Sequence, residues 1–431
     1  MPPRFHAFGH HCTAHLRLEV AALLVATSTG VGCGTPDRAN DAPRGDSNDA
    51  GAEDSGTMET SFEIDCMPDA GAAFAPCGSP IRLAPGVDTA FPHLVWTGAQ
   101  YGLAFTANFP ASHEVRFARL DASGSVIGAN AVVAGGADVS ATPVALGWSG
   151  DQYGIAWVDS RDGNPEIYFA RRDANGGALG SDVRVTSAIG SSILPSLVAH
   201  AAGFALAWQD DRTGTGDNEI YFARLDENGV KIGDDTLVTS LDGAISQEPS
   251  IAWTGAEYGI AWYDKRDGND YEIYFTRMDS SGAELGDDLR LTDSVGISSS
   301  PHLISVPGGY TLCWDDKRDG NMEIYCGKLD AKGIWTDAPH RITQTLGSSL
   351  FPSVAFTGAG FAVAWDDPTC GMYDVYFSAL DSRTAKLGST LAITKQGAAH
   401  PSLVWDGSGL AAAWHDFRHG DEEVLFCRLF R

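Results

Sequence analysis

Three residue types capable of ionic or metal chemistry recur together along this chain. In Trp262-Tyr-Asp264-Lys-Arg266-Asp-Gly268-Asn-Asp-Tyr-Glu272-Ile-Tyr274 an aspartate, an arginine and a glutamate stand between aromatic residues. The set returns as Asp159, Arg161 and Glu166, as Asp210, Arg212 and Glu219, and as Asp316, Arg318 and Glu323. Two copies are altered. One runs Asp367, Thr369 and Asp374; the other keeps Asp416, Arg418 and Glu423 but ends on Leu425. A further stretch, from Phe105 to Arg116, keeps little beyond Glu114.

A carboxylate on each side of one guanidinium makes charge-assisted, fork-shaped hydrogen bonds. Repeated along the chain, that arrangement is a staple for a tight polar turn. The oxygens of Asp264, Asp267, Asp270 and Glu272 around Gly268 also carry the ingredients of a calcium loop, so calcium is the one cofactor to consider. The central arginine competes for those carboxylates, which sets the metal reading behind the staple. An arginine grip on a substrate, of the sialidase kind, would need arginines that break the repeat, and these follow it. Function is sought where a repeat is broken. Beside a recurring proline most copies carry small or apolar residues, whereas His93, Glu248, His302 and His400 do not. These four are candidate ligand-binding residues, with four unrelated polar rim residues as the plain alternative. His340, His415 and His419 read as loop surface. No residue is assigned a catalytic role.

The elements that position these residues follow from the spacing. Pro92, Pro143, Pro195, Pro249, Pro301, Pro352 and Pro401 open units 49 to 54 residues apart, a period of propellers and solenoids. In the fourth unit Ser250–Thr254, Tyr258–Tyr263, Glu272–Met278 and Asp288–Thr292 read as strands, with turns at Gly255-Ala-Glu and Asp279-Ser-Ser-Gly282. Four short antiparallel strands per unit make a propeller blade. The last unit ends after its third strand, and Ser79-Pro-Ile-Arg-Leu-Ala84 matches the missing fourth strand, Asp287-Asp-Leu-Arg-Leu-Thr292. The expected fold is all-β: a seven-bladed propeller over 77–431, its last blade closed by the N-terminal strand so that no sheet edge is left open. Trp157, Trp208, Trp262, Trp314, Trp365 and Trp414 lie on second strands and are expected to pack into the neighbouring blade. First strands line the channel, so His93, Glu248, His302 and His400 fall at one mouth, and ring closure makes the blades of His93 and His400 adjacent.

The stretch Asp159-Ser-Arg161-Asp-Gly163-Asn-Pro-Glu166-Ile-Tyr168, the Asp173-Ala-Asn-Gly176 turn and the closing Val185-Thr186 resemble the propeller repeats of TolB-like proteins. The resemblance covers 79–431. It implies the fold and carries no partner over, because the second strand opens with T-G-A-x-Y where that family has S-P-D-G.

Asp and Glu number 56 against 29 Lys and Arg, a net charge of -27. Such a surface repels nucleic acid and anionic lipid and attracts cations. Residues 1–33 read as an export signal: Arg4 and Arg17, then the short apolar run Val20-Ala-Ala-Leu-Leu-Val-Ala26. The run leads to Thr29-Gly-Val-Gly-Cys33, which resembles a bacterial lipobox with Gly30 in place of the usual Leu. Lipid attachment at Cys33 is the expectation, with cleavage of an ordinary signal nearby as the alternative. Residues 34–76, rich in Asp, Gly, Ala and Ser, read as a disordered acidic tether. Cys66 and Cys77 suit a disulfide. Cys313 and Cys326 face each other across a hairpin and are either a second disulfide or two buried thiols. Cys370 and Cys427 have no evident mates. The functional expectation is a monomeric, lipid-anchored binding or scaffold protein of the cell envelope, for a cell-surface protein or a glycan, touching membrane only through its lipid. A propeller glycosidase or lyase with its site at the channel mouth is the alternative.

Overall fold

The computed structural model describes residues 79–429, apart from 141, 214–215, 269, 369–371, 395–396 and 419–421. The expectations for the leader, the tether, Cys33, Cys66, Cys77, Thr369, Cys370 and His419 fall outside those residues. The described chain forms seven four-stranded antiparallel sheets, each built from strands consecutive in sequence except the last. It is an all-β, seven-bladed propeller. The first strands are Asp88–Trp96, Ala145–Trp148, Ser192–His200, Ser246–Trp253, Ser298–Val306, Leu350–Phe356 and Ala398–Trp405 for blades 1 to 7. In blade 7 the fourth place is taken by Ile81–Arg82, paired antiparallel with Glu423–Leu429 through Ile81↔Phe426 and Arg82↔Leu425. The Leu83 amide donates to the Val424 carbonyl (3.1 Å), and Arg82 Nε donates to Glu423 Oε2 (2.5 Å). The sheet edge is thereby covered.

Each second strand is covered on both faces. Glu257–Asp264 is buried from Tyr258 onward, and Gly203–Asp210 throughout. The tryptophans turn towards the preceding blade: Trp314 packs with Tyr263, Ile273 and Phe275, and Trp208 with Val158, Ile167 and Phe169. Burying a large side chain of this kind contributes roughly 2–3 kcal/mol. Close approach of blades also requires glycine on the second strand. A Cβ on Gly259 would lie 2.5 Å from the Tyr310 ring, and one on Gly154 2.5 Å from Phe204.

The prolines do not open the first strands as the spacing suggested. The strand of blade 4 begins at Ser246, three residues before Pro249, and pairing resumes past the proline with a register shift between Gln247 and Ser250. The same bulge recurs in blades 1, 3, 5, 6 and 7. Proline has no N–H to give to a ladder, so it sits where the ladder is interrupted. The residue before it carries the bend: Phe91, Leu194, Glu248, Ser300, Phe351 and His400 all have φ between 49° and 54°. Left-handed backbone at a non-glycine residue costs about 1–2 kcal/mol each.

Candidate functional site at the loop end of the channel

The repeated carboxylates are occupied, though not as the single Asp-Arg-Glu staple expected. Asp264 accepts from Trp262 Nε1 (2.9 Å), Ser246 Oγ (2.9 Å), the Arg266 amide (2.8 Å) and the Arg266 guanidinium (2.6 Å). Asp210 and Asp316 repeat the pattern, and Asp159 and Asp416 hold the tryptophan and arginine parts. In four blades the arginine then crosses the tyrosine ring, at 3.7 Å for Arg212 over Tyr221 and 4.6 Å for Arg266 over Tyr274. In three blades the arginine ends on an aspartate in or just before the fourth strand rather than on the glutamate: Asp182 for Arg161, Asp235 for Arg212, Asp288 for Arg266. The glutamate is served by a different arginine, also from the fourth strand. Arg184 reaches Glu166 (2.8 Å), Arg290 reaches Glu272 (3.0 Å), Arg341 reaches Glu323 (2.9 Å), and Arg82 closes the series on Glu423. In blade 3 the register position of those arginines holds Leu237. Glu219 accepts from Thr239, and burial pushes its carboxyl up to about 7.

His93 and His302 follow the proline and belong to a clasp between blades. In four other blades a serine in this position accepts the amide of the next blade: Ser196 from Ile251 (3.1 Å), Ser250 from Leu303 (2.9 Å), Ser353 from Leu403 (3.0 Å), Ser402 from Leu94 (3.0 Å). His302 Nδ1 does the same for the Val354 amide (3.2 Å), and His93 turns to the backbone of Val144. Burial lowers both imidazoles to about 4. An imidazole that accepts an amide is neutral, and its role here is one that serine fills elsewhere.

Glu248 and His400 belong to a different ring, the bulged residues before the prolines. His400 lies between Phe351 and Phe91, with ring centroids 4.9 and 5.1 Å away. Its amide donates to both oxygens of Asp366 (2.8 and 3.0 Å). Phe91, Glu248, Ser300, Phe351 and His400 are all half-buried, so this ring faces the channel at the end where the second strands turn into the third.

Directly beside it is a ring that sequence reasoning missed, the residue after each second-strand tryptophan. It reads Val158, Gln209, Tyr263, Asp315, Asp366 and His415 from blade 2 to blade 7. His415 is therefore strand residue, 1% exposed, and not loop surface; His340 too is in a strand and half-buried. Asp315 accepts from Ser299 Oγ (3.1 Å) through Oδ2, while its Oδ1 has no hydrogen-bond partner; Gln209 Oε1 and both His415 nitrogens are also without one. His415 Nε2 is 3.3 Å from Glu422 without hydrogen-bond geometry. Buried polar atoms are nearly always partnered, so four on three residues of one ring mark a place built for something else. Comparing the middle residue of each W-x-D would have exposed it.

The two rings are electrostatically one site. Burial pushes Glu248 up to about 7 and Asp315 up to about 8, with Glu248 adding to the latter. Asp366 is raised well above the carboxylate range by burial and then by Asp315 and Asp367. Burial lowers His400 to about 3, with His415 adding to it. No group of three or more His, Cys, Asp or Glu among the described residues has the arrangement of a metal centre.

Around this end runs an apolar arc. Ile189, Leu241, Val295 and Leu346 occupy corresponding loops leading out of blades 2, 3, 4 and 5, and they are 87%, 63%, 88% and 91% exposed. These loops open on the same face as the second-to-third strand turns. Elsewhere, Cys313 and Cys326 form a disulfide within the hairpin of blade 5. Cys427 is disulfide-bonded as well.

No protein-family model matches the chain, and no curated protein matches it. Among solved structures, a prolyl endopeptidase is similar at 14% identity and a TM-score of 0.48, over 79% of this chain and 50% of that one. The chain thus spans about half the length of that protein. A subtype N11 neuraminidase-like protein of the isolate A/flat-faced bat/Peru/033/2010 (H18N11) is similar at 12% identity and a TM-score of 0.46, over 84% of this chain and 93% of that one. A thermostable family-43 glycoside hydrolase is similar at 13% identity and a TM-score of 0.36, over 57% and 92%. These are likenesses of fold.

Proposed function

We propose that this propeller is a non-catalytic binding protein of the cell envelope, carried on a lipid at Cys33, whose loop face takes a protein partner. The TolB-like character of its repeats suits an envelope setting. The observation that carries the reading is the arc of Ile189, Leu241, Val295 and Leu346. Exposed aliphatic residues at one position of four successive blades form a rim around a polar centre, the anatomy of a protein-binding surface rather than of a glycan site. The partner's matching surface is basic, given a net charge of -27.

The glycosidase alternative has one feature in its favour, buried carboxyls at the channel end. A glycosidase pair needs one carboxyl held ionised while its mate is kept protonated. Here burial raises Glu248, Asp315 and Asp366 alike, which speaks for binding.

The test is photo-crosslinking in envelope extract from a reactive residue placed at Val295, against the same residue at Val230 on the opposite face. One adduct from position 295, absent from position 230 and lost on Leu346→Asp with an unchanged melting temperature, is expected. Equal capture from both faces, or capture indifferent to Leu346→Asp, overturns the reading. Cys33→Ser is expected to move the protein from the membrane to the soluble fraction.

A further inference from the structure

We infer that the channel end from blade 4 round to blade 1 receives a primary ammonium group, with Glu248 and Asp315 accepting its N–H bonds and Phe91 and Phe351 packing against its carbon chain. This rests on the reading of the loop face as the binding face.

Three observations lead there. The first is the sign of the unused hydrogen-bonding capacity. Asp315 Oδ1 and Gln209 Oε1 are acceptors, both on residues at most 4% exposed, and neither has a donor. A ligand that completes this site must bring N–H or O–H groups; a carboxylate or phosphate brings none. The second is charge. Glu248, Asp315 and Asp366 come from three successive blades, and no lysine or arginine shares the two rings. Glu248 and Asp315 meet only hydroxyls, Ser300 and Tyr263 for the first and Ser300 and Ser299 for the second, whereas the hairpin carboxylates Asp264 and Glu272 each meet an arginine. The neighbouring imidazoles do not substitute, since burial holds His400, His93 and His302 neutral. The third is the aromatic pair. Phe351 and Phe91 flank His400 and stay half-buried, offering ring faces that attract an ammonium and cover methylene groups. A bare metal ion would want several oxygens at fixed geometry and no aromatic wall.

The titratable groups that face Asp315 are Glu248, Tyr263 and Asp366, with His400 and His415 beyond Asp366. A bound cation favours the ionised form of the carboxyls. Ammonium binding is therefore coupled to proton release, and it tightens as pH rises from about 6 to about 9, where the amine itself is still charged.

The same chemistry comes from a free polyamine or from a lysine side chain of the partner. The full chain is titrated calorimetrically with 1,4-diaminobutane and, separately, with a blocked lysine peptide, in two buffers of different ionisation enthalpy. Saturable binding of either probe is expected, with proton release below about pH 8 and an affinity lower by tenfold or more, as an order of magnitude, in Asp315→Asn and Glu248→Gln. Binding of the peptide alone assigns the site to a partner's lysine; binding of the diamine assigns it to a polyamine. No binding of either probe at about pH 9, where the carboxyls are ionised, overturns the inference. So does binding that is unchanged in both variants, or that displaces no protons from the wild-type chain. If partner capture at Val295 persists while both probes fail, the face is a binding face and the ammonium assignment alone is wrong.

Discussion

Each motif arginine holds an aspartate that already has other donors, and this decides what its loss costs. Arg266→Ala leaves Asp264 with Trp262, Ser246 and a main-chain amide. Asp264 is 1% exposed and the Arg266 side chain 16%, so the loss of its cation should still destabilise by about 3 kcal/mol. The Arg161 side chain is 36% exposed, and Arg161→Ala should cost about 1 kcal/mol or less. Urea denaturation of the two variants checks the difference; equal losses would mean that exposure does not set the strength of the pair. A second residue-scale expectation concerns Glu219, which lacks the fourth-strand arginine of its equivalents and is raised to about 7 by burial. A raised carboxyl binds a proton in the folded state that the unfolded state has released, so stability declines as pH climbs from the ordinary carboxylate value towards about 7. Leu237→Arg supplies the missing guanidinium opposite Tyr221. It should raise stability at about pH 8 by roughly 1 kcal/mol and leave it little changed near pH 4. A thermal scan at both pH values reads this, and a gain at low pH only would refute it.

The strands repeat so regularly that element identity was legible in the chain. The proline period, the Gly and Asp turns and the tail-to-head match of Ile81–Ala84 all express a fold whose blades must be alike to close. What was not legible is the bulge. A proline marks a ladder interruption, but nothing in Glu248-Pro249 or His400-Pro401 says that the preceding residue turns left-handed and that the strand continues beyond it. For that reason the four polar departures looked like one rim. They divide into a bulged pair, Glu248 and His400, and a clasping pair, His93 and His302. Asp315, Asp366 and His415 stayed hidden because they sit inside the repeated motif, where attention goes to its constant residues. The glutamate's true partner was equally hidden, since Arg184 and Arg290 are brought to it by fourth-strand register and not by proximity in sequence. At this scale the closing strand can be tested directly. Deleting residues 79–86 leaves blade 7 with three strands, a bare edge on Glu423–Leu429 and Glu423 without its arginine. The variant should lose monodispersity in light scattering and melt earlier; a deletion as stable and monomeric as the parent would show that closure contributes nothing.

The whole ring inherits a pH dependence from its channel end. Glu248 and Asp315 are protonated more readily in the folded chain than in the unfolded one, at about 7 and about 8. Below the ordinary carboxylate range both states are protonated and the groups are neutral to stability. Between about pH 4 and about pH 8 the unfolded chain gives up its protons first, so the melting temperature should fall across that window and level off above it. Asp315→Asn should flatten the fall and be more stable than the parent at about pH 8, by on the order of 3 kcal/mol. A melting temperature that rises over the same interval would contradict the buried carboxyl cluster.

Both ends of the described chain meet in blade 7, and there only Ile81 and Arg82 pair with the neighbouring strand. This makes the ring's weakest seam the place where tension enters. With the Cys427 disulfide reduced, a pull on the chain ahead of Ser79 falls first on two paired residues, the Leu83 amide and one ion pair, while every other blade is held by hairpins within its own sheet. Force would unlatch the circle before it unravels any blade. Optical-tweezer extension from the N-terminal side under reducing conditions should show a small reversible rupture ahead of the main unfolding, absent when residues 79–86 are removed. A protein fastened by its N-terminus would thus report drag on itself as a change from a closed ring to an open one.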